Sequence, residues 1–352
     1  MKIVDYIVVG QGLAGTLLTH FLEQQQQKVF VINSISEHAA SSVAAGIINP
    51  ITGRRYVKSW MVDTLIPFAA QTYATLSQQL GVPIFSQKNI IRTLFNRLEE
   101  DHWWLKSDEE GYAKYMLANA DLGNYKGHIL PDFSYGEVTG GGQANVALLT
   151  EHYRHYLIEK GNYQTANFDI EQIEFLAEGV EYHNIKAKKI IFCEGYAGKF
   201  NPYFSYLPFG GAKGEVLIVR IANIHFEKLI KRKVFIAPWK DDLYWIGATI
   251  DNHFEHELPT EKGKTFLMNK LQDFLAVPFE IVEHKSAVRP TVKDRRPFLG
   301  VHPEFPQLAI FNGLGTKGAS LAPFFAHQMA NYLVQQLPLL EAVNIERFGV
   351  KG

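Results

Sequence analysis

The chain predicts an α/β fold, in which a parallel sheet flanked by helices carries an antiparallel sheet interleaved as a second domain. Three observations predict it. An apolar run of strand length, Ile3 to Val9, leads through Gly10, Gly12 and Gly15 into Ala14, Leu17, Leu18, Phe21 and Leu22 at helical spacing. A second buried-strand pattern, Lys188 to Cys193, returns the chain to a parallel sheet. Beyond it, Gly214 to Val219, Val234 to Pro238 and Leu243 to Ile250 read as antiparallel strands, the last two joined as a hairpin by the polar turn Lys240-Asp241-Asp242. With 352 residues the chain predicts two domains, because single cores stop growing near about 250–300 residues.

The opening element carries the strongest signal. Gly10, Gly12 and Gly15 stand in the G-x-G-x-x-G spacing between a strand and a helix. Gly10 permits the tight turn, Gly12 lets backbone approach a pyrophosphate, and Gly15 lets the helix pack on the strand with its free N–H groups toward the phosphates. This is a Rossmann-like start, built for a dinucleotide. The second strand, Lys28 to Ile32, ends at Asn33, where such motifs carry an Asp or Glu for the ribose hydroxyls. Asn33 departs from that pattern. Its carbonyl accepts one such bond while its amide donates, and a turn-forming Asn at a strand end is the other reading.

From Ser41 the chain reads SSVAAGIINPITGRR, small residues that let backbone lie along a flat ligand, then a polar turn with Arg54 and Arg55. A helix is predicted from about Thr64 to Leu80. Ser86 to Tyr135 reads as irregular, with NRLEEDHWW inside it as a solvated helix face carrying packed tryptophans. The glycines 140 to 142 form a turn before an amphipathic helix, where His152 and His155, lacking a third ligand, read as a surface pair and no metal site. A further helix is predicted from about Thr260 to Leu275. The last strand, Ala309 to Asn312, leads into GLGTKGASLAP, with Pro323 in the first turn of the final helix.

Composition narrows the class. With 35 basic and 36 acidic residues the net charge is −1, so no bulk attraction to nucleic acid or anionic membrane is expected. The single cysteine, Cys193, excludes internal disulfides and cysteine-built metal sites and suits a reducing compartment. No apolar run reaches membrane-span length, and the first strand starts too early for a signal peptide, so a cytoplasmic protein is expected.

Eight blocks then occur in one order: VVGQGLAG at Val8, AAGIINP at Ala44, GGGQANVALL at Gly140, IIFCEGYAG at Ile190, AKGEVLIV at Ala212, IAPWKDDLYWIGAT at Ile236, AVRPTVKDRRPFLG at Ala287 and GLGTKGASLAP at Gly313. Over nearly its whole length the chain resembles the flavin-dependent D-amino acid oxidase family, which includes glycine oxidase and sarcosine oxidase. The last block is most similar to the oxidase domain of the bacterial enzyme that completes the methylaminomethyl group on wobble uridine of tRNA. The resemblance implies an FAD-binding domain from residues 1–75, 138–210 and 286–352, and a substrate-binding domain from 76–137 and 211–285.

It also implies noncovalent FAD, since the covalent members attach it through a cysteine and Cys193 lies at a strand end among phosphate-side motifs. The residues implied to hold FAD are Gly10, Gly12, Gly15, Asn33, Ser41, Ser42, Ala45, Gly46, Phe168, Gly195, Gly313, Gly315, Thr316, Lys317 and Gly318. The turn Gly313 to Gly318 would offer backbone donors and a helix dipole to the ring edge where negative charge develops on reduction. The implied reaction is oxidation of a C–N bond in a small amino acid or secondary amine by hydride transfer to the flavin.

Arg289 occupies the position whose arginine forks onto the substrate carboxylate, or else it is clasped to Asp294. Lys317 would stabilise the reduced ring or meet an anionic substrate, or else is solvated. Tyr244 and Trp245 point to opposite faces of one strand, so one packs and the other lines the pocket; Tyr244 is taken as the third catalytic candidate. Phe235 and Ile250 are implied pocket walls, and Arg54 and Arg55 either greet an acidic substrate or sit exposed in a turn. Two other functions stay open: an oxidase acting on modified wobble uridine in tRNA, disfavoured by the neutral charge, and a flavin-holding protein without turnover. The partners expected are a small amine and an electron acceptor, oxygen or another.

Overall fold

The computed structural model describes residues 1–36 and 38–349. Its centre is a six-stranded sheet in the order Tyr163–Thr165, Val29–Asn33, Tyr6–Val9, Lys189–Phe192, Leu308–Asn312 and Phe298–Val301. Neighbours run parallel except the last pair. Side chains alternate between two cores, as a pleated strand requires. Tyr6 and Val8 face the helices Leu13–Gln24, Val146–Glu159 and Gly318–Gln335, whereas Ile7 and Val9 face a smaller meander, Ile173–Phe175, Val180–Tyr182 and Ile185–Ala187. The predicted α/β class holds.

The apolar run expected from Ile3 to Val9 divides at Asp5. Lys2–Ile3 pairs with the meander, and only Tyr6–Val9 joins the parallel sheet. The Asp5 carboxylate accepts the N–H of Lys28 at 2.8 Å and meets Lys188 at 2.8 Å, which ties the break between the two pieces.

The second sheet has eight strands, in the order Glu280–Val292, Phe209–Arg220, Leu243–Gly247, Phe235–Pro238, Leu229–Lys231, Ile90–Leu94, Ser134–Val138 and Met116–Leu117. It is antiparallel except where Leu229–Lys231 runs parallel to Ile90–Leu94, the seam between the two inserted segments. The segment 86–135 is therefore not irregular. It also holds a helix, Arg97–Asp108, with a reciprocal cap: the Asn96 side chain accepts the N–H of Glu99, and the Glu99 carboxylate accepts that of Phe95, both at 3.0 Å. Trp103 of this helix is fully buried and donates Nε1–H to the Leu117 carbonyl at 2.9 Å. Phe209–Arg220 and Glu280–Val292 pair along their lengths, so the boundaries expected near residues 211 and 286 fall inside continuous strands.

The final helix starts at Gly318, which puts Pro323 in its second turn and not its first. Proline has no N–H for the Ala319 carbonyl one turn back. That carbonyl accepts the hydroxyl of Tyr73 at 2.8 Å instead, from a fully buried side chain on the helix Val62–Leu80.

Candidate cofactor and substrate site

The glycine turn lies at the carboxyl end of Tyr6–Val9, between strands that run on to either side, where open α/β sheets form their crevice. Gly10 has φ +93°, and a Cβ there would lie 2.5 Å from the Cys193 carbonyl oxygen. At Gly15 a Cβ would lie 1.9 Å from the Gly10 carbonyl oxygen, so the helix packs on its own turn only through glycine. Gly12 is the cap residue of Leu13–Gln24 and offers no side-chain acceptor. Ser41 takes that place, its Oγ accepting the N–H of Leu13 at 2.9 Å. Asn33 also turns inward: its Oδ1 accepts the N–H of Gln11 at 2.8 Å, and its amide donates to Tyr163 at 3.2 Å. Ser42 donates to the Ala39 carbonyl at 2.8 Å.

The small-residue segment continues the crevice. Ala45 is buried, and Gly46 has φ +66° with room for no Cβ, which would fall 1.7 Å from the Ala144 carbonyl oxygen. The second glycine turn closes on the first: a Cβ at Gly318 would lie 3.4 Å from a Leu13 methyl. Gly313 and Gly315 take φ +77° and +56°, and Thr316 is exposed. Gly195, at φ +59°, accepts the side-chain amide of Asn312 at 2.9 Å and borders the same end of the sheet. Phe168 follows the edge strand Tyr163–Thr165 and packs against the meander core, stacked on Tyr182 at 4.2 Å.

Over this crevice stands one face of the eight-stranded sheet. Trp245 anchors it, donating Nε1–H to the Val43 carbonyl at 2.8 Å. Its neighbour Tyr244 points the other way, buried against the helix Glu261–Gln272, with its hydroxyl donating to the Ile224 carbonyl at 2.9 Å and accepting the N–H of Phe226 at 3.2 Å. Strand alternation thus removes Tyr244 from the site and leaves Trp245 on it. Arg289 is half-buried, and among the described residues its guanidinium reaches only the carbonyls of Ala212 and Thr249, each at 3.5 Å. The clasp to Asp294 is not formed, because Arg347 holds that carboxylate at 3.0 Å. Phe235 packs on this side, whereas Ile250 is 70% exposed.

Residues 5–332 match the DAO family of FAD dependent oxidoreductases. The chain belongs to this family. It is 22% identical over 350 residues to glycine oxidase of Bacillus subtilis (strain 168), covering 91% of this chain and 90% of that protein. In fold it is similar to glycine oxidase of Geobacillus kaustophilus, with a TM-score of 0.81, 18% identity and coverage of 99% and 98% of the two chains. Iminodiacetate oxidase of Chelativorans sp. BNC1 is also similar, with a TM-score of 0.77, 18% identity and 98% of each chain covered. This protein is accordingly an oxidoreductase whose cofactor is FAD.

The residues present fit that cofactor. A side chain at Gly10, Gly15 or Gly46 would strike backbone, and the two glycine turns bring two helix N-termini side by side. The oxidoreductase has no cysteine placed to attach FAD: Cys193 is buried, and burial, then Glu194, pushes its thiol far above the usual range. Lys317, at the start of the final helix, lies 3.4 Å from Ser59 Oγ. Burial first, then Arg295 and Arg296, lowers its ammonium pKa, and burial lowers that of Arg289. Arg54 and Arg55 are exposed in the turn between Ile51–Thr52 and Val57–Lys58. His152 and His155 stand as ring neighbours at 6.4 Å, and the described residues hold no cluster of metal-ligating side chains.

Two participants escaped the sequence reading. Gln143 donates its amide to the carbonyls of Ala45 at 3.1 Å and Pro238 at 2.7 Å, joining the crevice to the second sheet. Its position in the GGGQ block was the available signal. Arg296 lies over the Trp60 ring at 3.9 Å beside the Lys317 turn, a contact between distant segments that no local pattern announces.

Proposed function

We propose that this FAD-dependent oxidoreductase oxidises the C–N bond of a small amino acid or secondary amine. One observation carries the reading: Arg289, half-buried on the sheet face above the small-residue segment, has two long carbonyl contacts and no carboxylate partner among the described residues. A planar fork held in that state suits a substrate carboxylate, which it would grip through two parallel bonds. FAD, when bound, accepts hydride from the substrate C–H. The Gly10–Gly15 turn and the start of Leu13–Gln24 would hold the pyrophosphate, with Ser41 giving up Leu13 N–H to it. Gly46 would lie along the ring and the Gly313–Gly318 turn at its pyrimidine side, with Lys317 adding a positive charge. Arg289 orients the amine, and Trp245 and Gln143 hold the sheet over it and keep water out.

In this reading 1–75, 138–210 and 286–352 chiefly hold the cofactor and the remaining segments face the substrate, with the crossing strands shared between them. The enzyme works in the cytoplasm, on a free amine rather than on nucleic acid, and oxygen or another acceptor takes the electrons. Neutral net charge and the single buried cysteine support these assignments. Anaerobic mixing of the yellow protein with glycine, sarcosine, D-amino acids, proline and modified nucleosides tests the reading. Bleaching of the flavin by a free amino acid is the expected result, and bleaching by a nucleoside alone would overturn it.

A further inference from the structure

We propose that Lys213-Gly214-Glu215 is the positioning device that aims Arg289, with Gly214 as the residue that lets the guanidinium reach the substrate carboxylate. This rests on the reading of Arg289 given above. In the pairing of Phe209–Arg220 with Glu280–Val292, Ala212 stands opposite Arg289 and Gly214 opposite Ala287. Gly214 is therefore the diagonal, same-face neighbour of Arg289. A Cβ at Gly214 would lie 2.1 Å from Nη2, 2.4 Å from Cζ and 2.5 Å from Nη1 of Arg289. These are its three nearest atoms, and Gly214 has no left-handed φ. Glycine in a strand interior weakens the strand, so its presence calls for a close approach, and the guanidinium supplies it.

The two flanking residues work on the opposite face. Lys213 and Glu215 are 3% and 5% exposed and lie 3.4 Å apart, charge to charge. Glu215 accepts the N–H and the hydroxyl of Thr260 at 2.8 Å each and meets His284 at 2.9 Å, and Lys213 donates to the Leu258 carbonyl. Backbone bonds complete the tie: Glu215 N–H donates to Thr249 Oγ1 at 2.8 Å, Thr249 N–H to the Glu215 carbonyl at 3.1 Å, and Lys213 and Asp251 exchange bonds of 2.8 and 2.9 Å. The Thr249 carbonyl that receives Arg289 is thus fixed in space by the tripeptide. One strand makes the gap for the guanidinium and holds its acceptor.

The three atoms that a methyl group at Gly214 would meet first all belong to the far end of a flexible side chain, so Gly214→Ala is expected to fold with Arg289 displaced. The test measures binding of acetate and acetamide to the FAD-loaded protein by the change in flavin absorbance, together with kcat and KM for glycine and glycinamide. Gly214→Ala is expected to lower the acetate-over-acetamide preference about tenfold or more, with the loss in KM and with FAD content unchanged. Arg289→Ala is expected to do the same, and Gly214→Ala added to Arg289→Ala to change nothing further. A wild-type preference in Gly214→Ala, lost in Arg289→Ala, overturns the role of Gly214 and leaves that of Arg289. A preference kept by both overturns the reading of Arg289 itself. A Gly214→Ala protein that fails to fold, and fails equally without the arginine side chain, makes Gly214 a folding residue and ends the proposal.

Discussion

Arg289 and Lys317 are both cations drawn partly out of water, and neither has an acidic partner among the described residues. A charge left in that condition is expected to meet its counter-charge on the ligand. Arg289→Lys keeps the charge and removes the fork, so a contact of roughly 1.5–3 kcal/mol is mostly lost. The half-saturation constant for an amino-acid substrate should rise about tenfold, with FAD content constant, in steady-state kinetics. Lys317→Met removes a positive charge beside the second glycine turn and keeps the chain length. It should lower the midpoint potential in a dye-referenced titration by ~20 mV for each kcal/mol lost, and an unchanged potential would return Lys317 to the solvated reading.

A third residue speaks for stability. His20, 3% exposed, is held neutral by burial, its pKa lowered to about 4. The unfolded chain binds that proton near pH 6.5 and the folded chain does not, so stability is full above pH 6.5 and falls as the pH drops toward 4. About 2 kcal/mol should be gone by pH 5, and His20→Gln should flatten that part of the urea-unfolding profile.

At the scale of elements, the proline in the final helix depends on a side chain from another. Tyr73→Phe leaves the Ala319 carbonyl without its partner inside the core. Denaturant unfolding should show a loss of about 1–3 kcal/mol with no change in FAD absorbance. The motif-bearing elements were legible because strand, glycine turn and helix follow one another within a few residues, as Tyr6–Val9 and Leu13–Gln24 do. Arg97–Asp108 was legible as a solvated helix face with a packed tryptophan, Trp103, whereas the strands Ile90–Leu94 and Ser134–Val138 on either side of it were not read as such. Pro323 was misplaced by a turn because the α-helix begins at Gly318, directly after the 3₁₀ piece Gly315–Lys317, earlier than a proline in the first turn requires. For Tyr244 the alternation was visible, but which face meets the crevice depends on where Glu261–Gln272 packs.

At the scale of the molecule, the order of the blocks conveyed the two-sheet plan, while the seam between Leu229–Lys231 and Ile90–Leu94 joins segments too distant for any periodicity to register. The site has the same character. Its glycines are marked locally, but the partners of Arg289 and the link made by Gln143 exist only after the sheets meet.

The close approach of the turn at Gly318 to that at Leu13 has a consequence for how the protein endures heat. A ligand spanning both turns is a reversible cross-link around a loop of almost the entire described chain, and unfolding scatters its two halves. FAD is therefore expected to act as a removable staple, adding about 2.7 kcal/mol at a free concentration one hundred times its dissociation constant. Melting curves recorded against added FAD should climb steadily with concentration, and a melting point indifferent to FAD would mean that FAD does not favour the folded chain over the unfolded one. On the ribosome the same geometry imposes a wait: the first turn is made early, and its clasp closes only when the last strand and the helix behind it have been released.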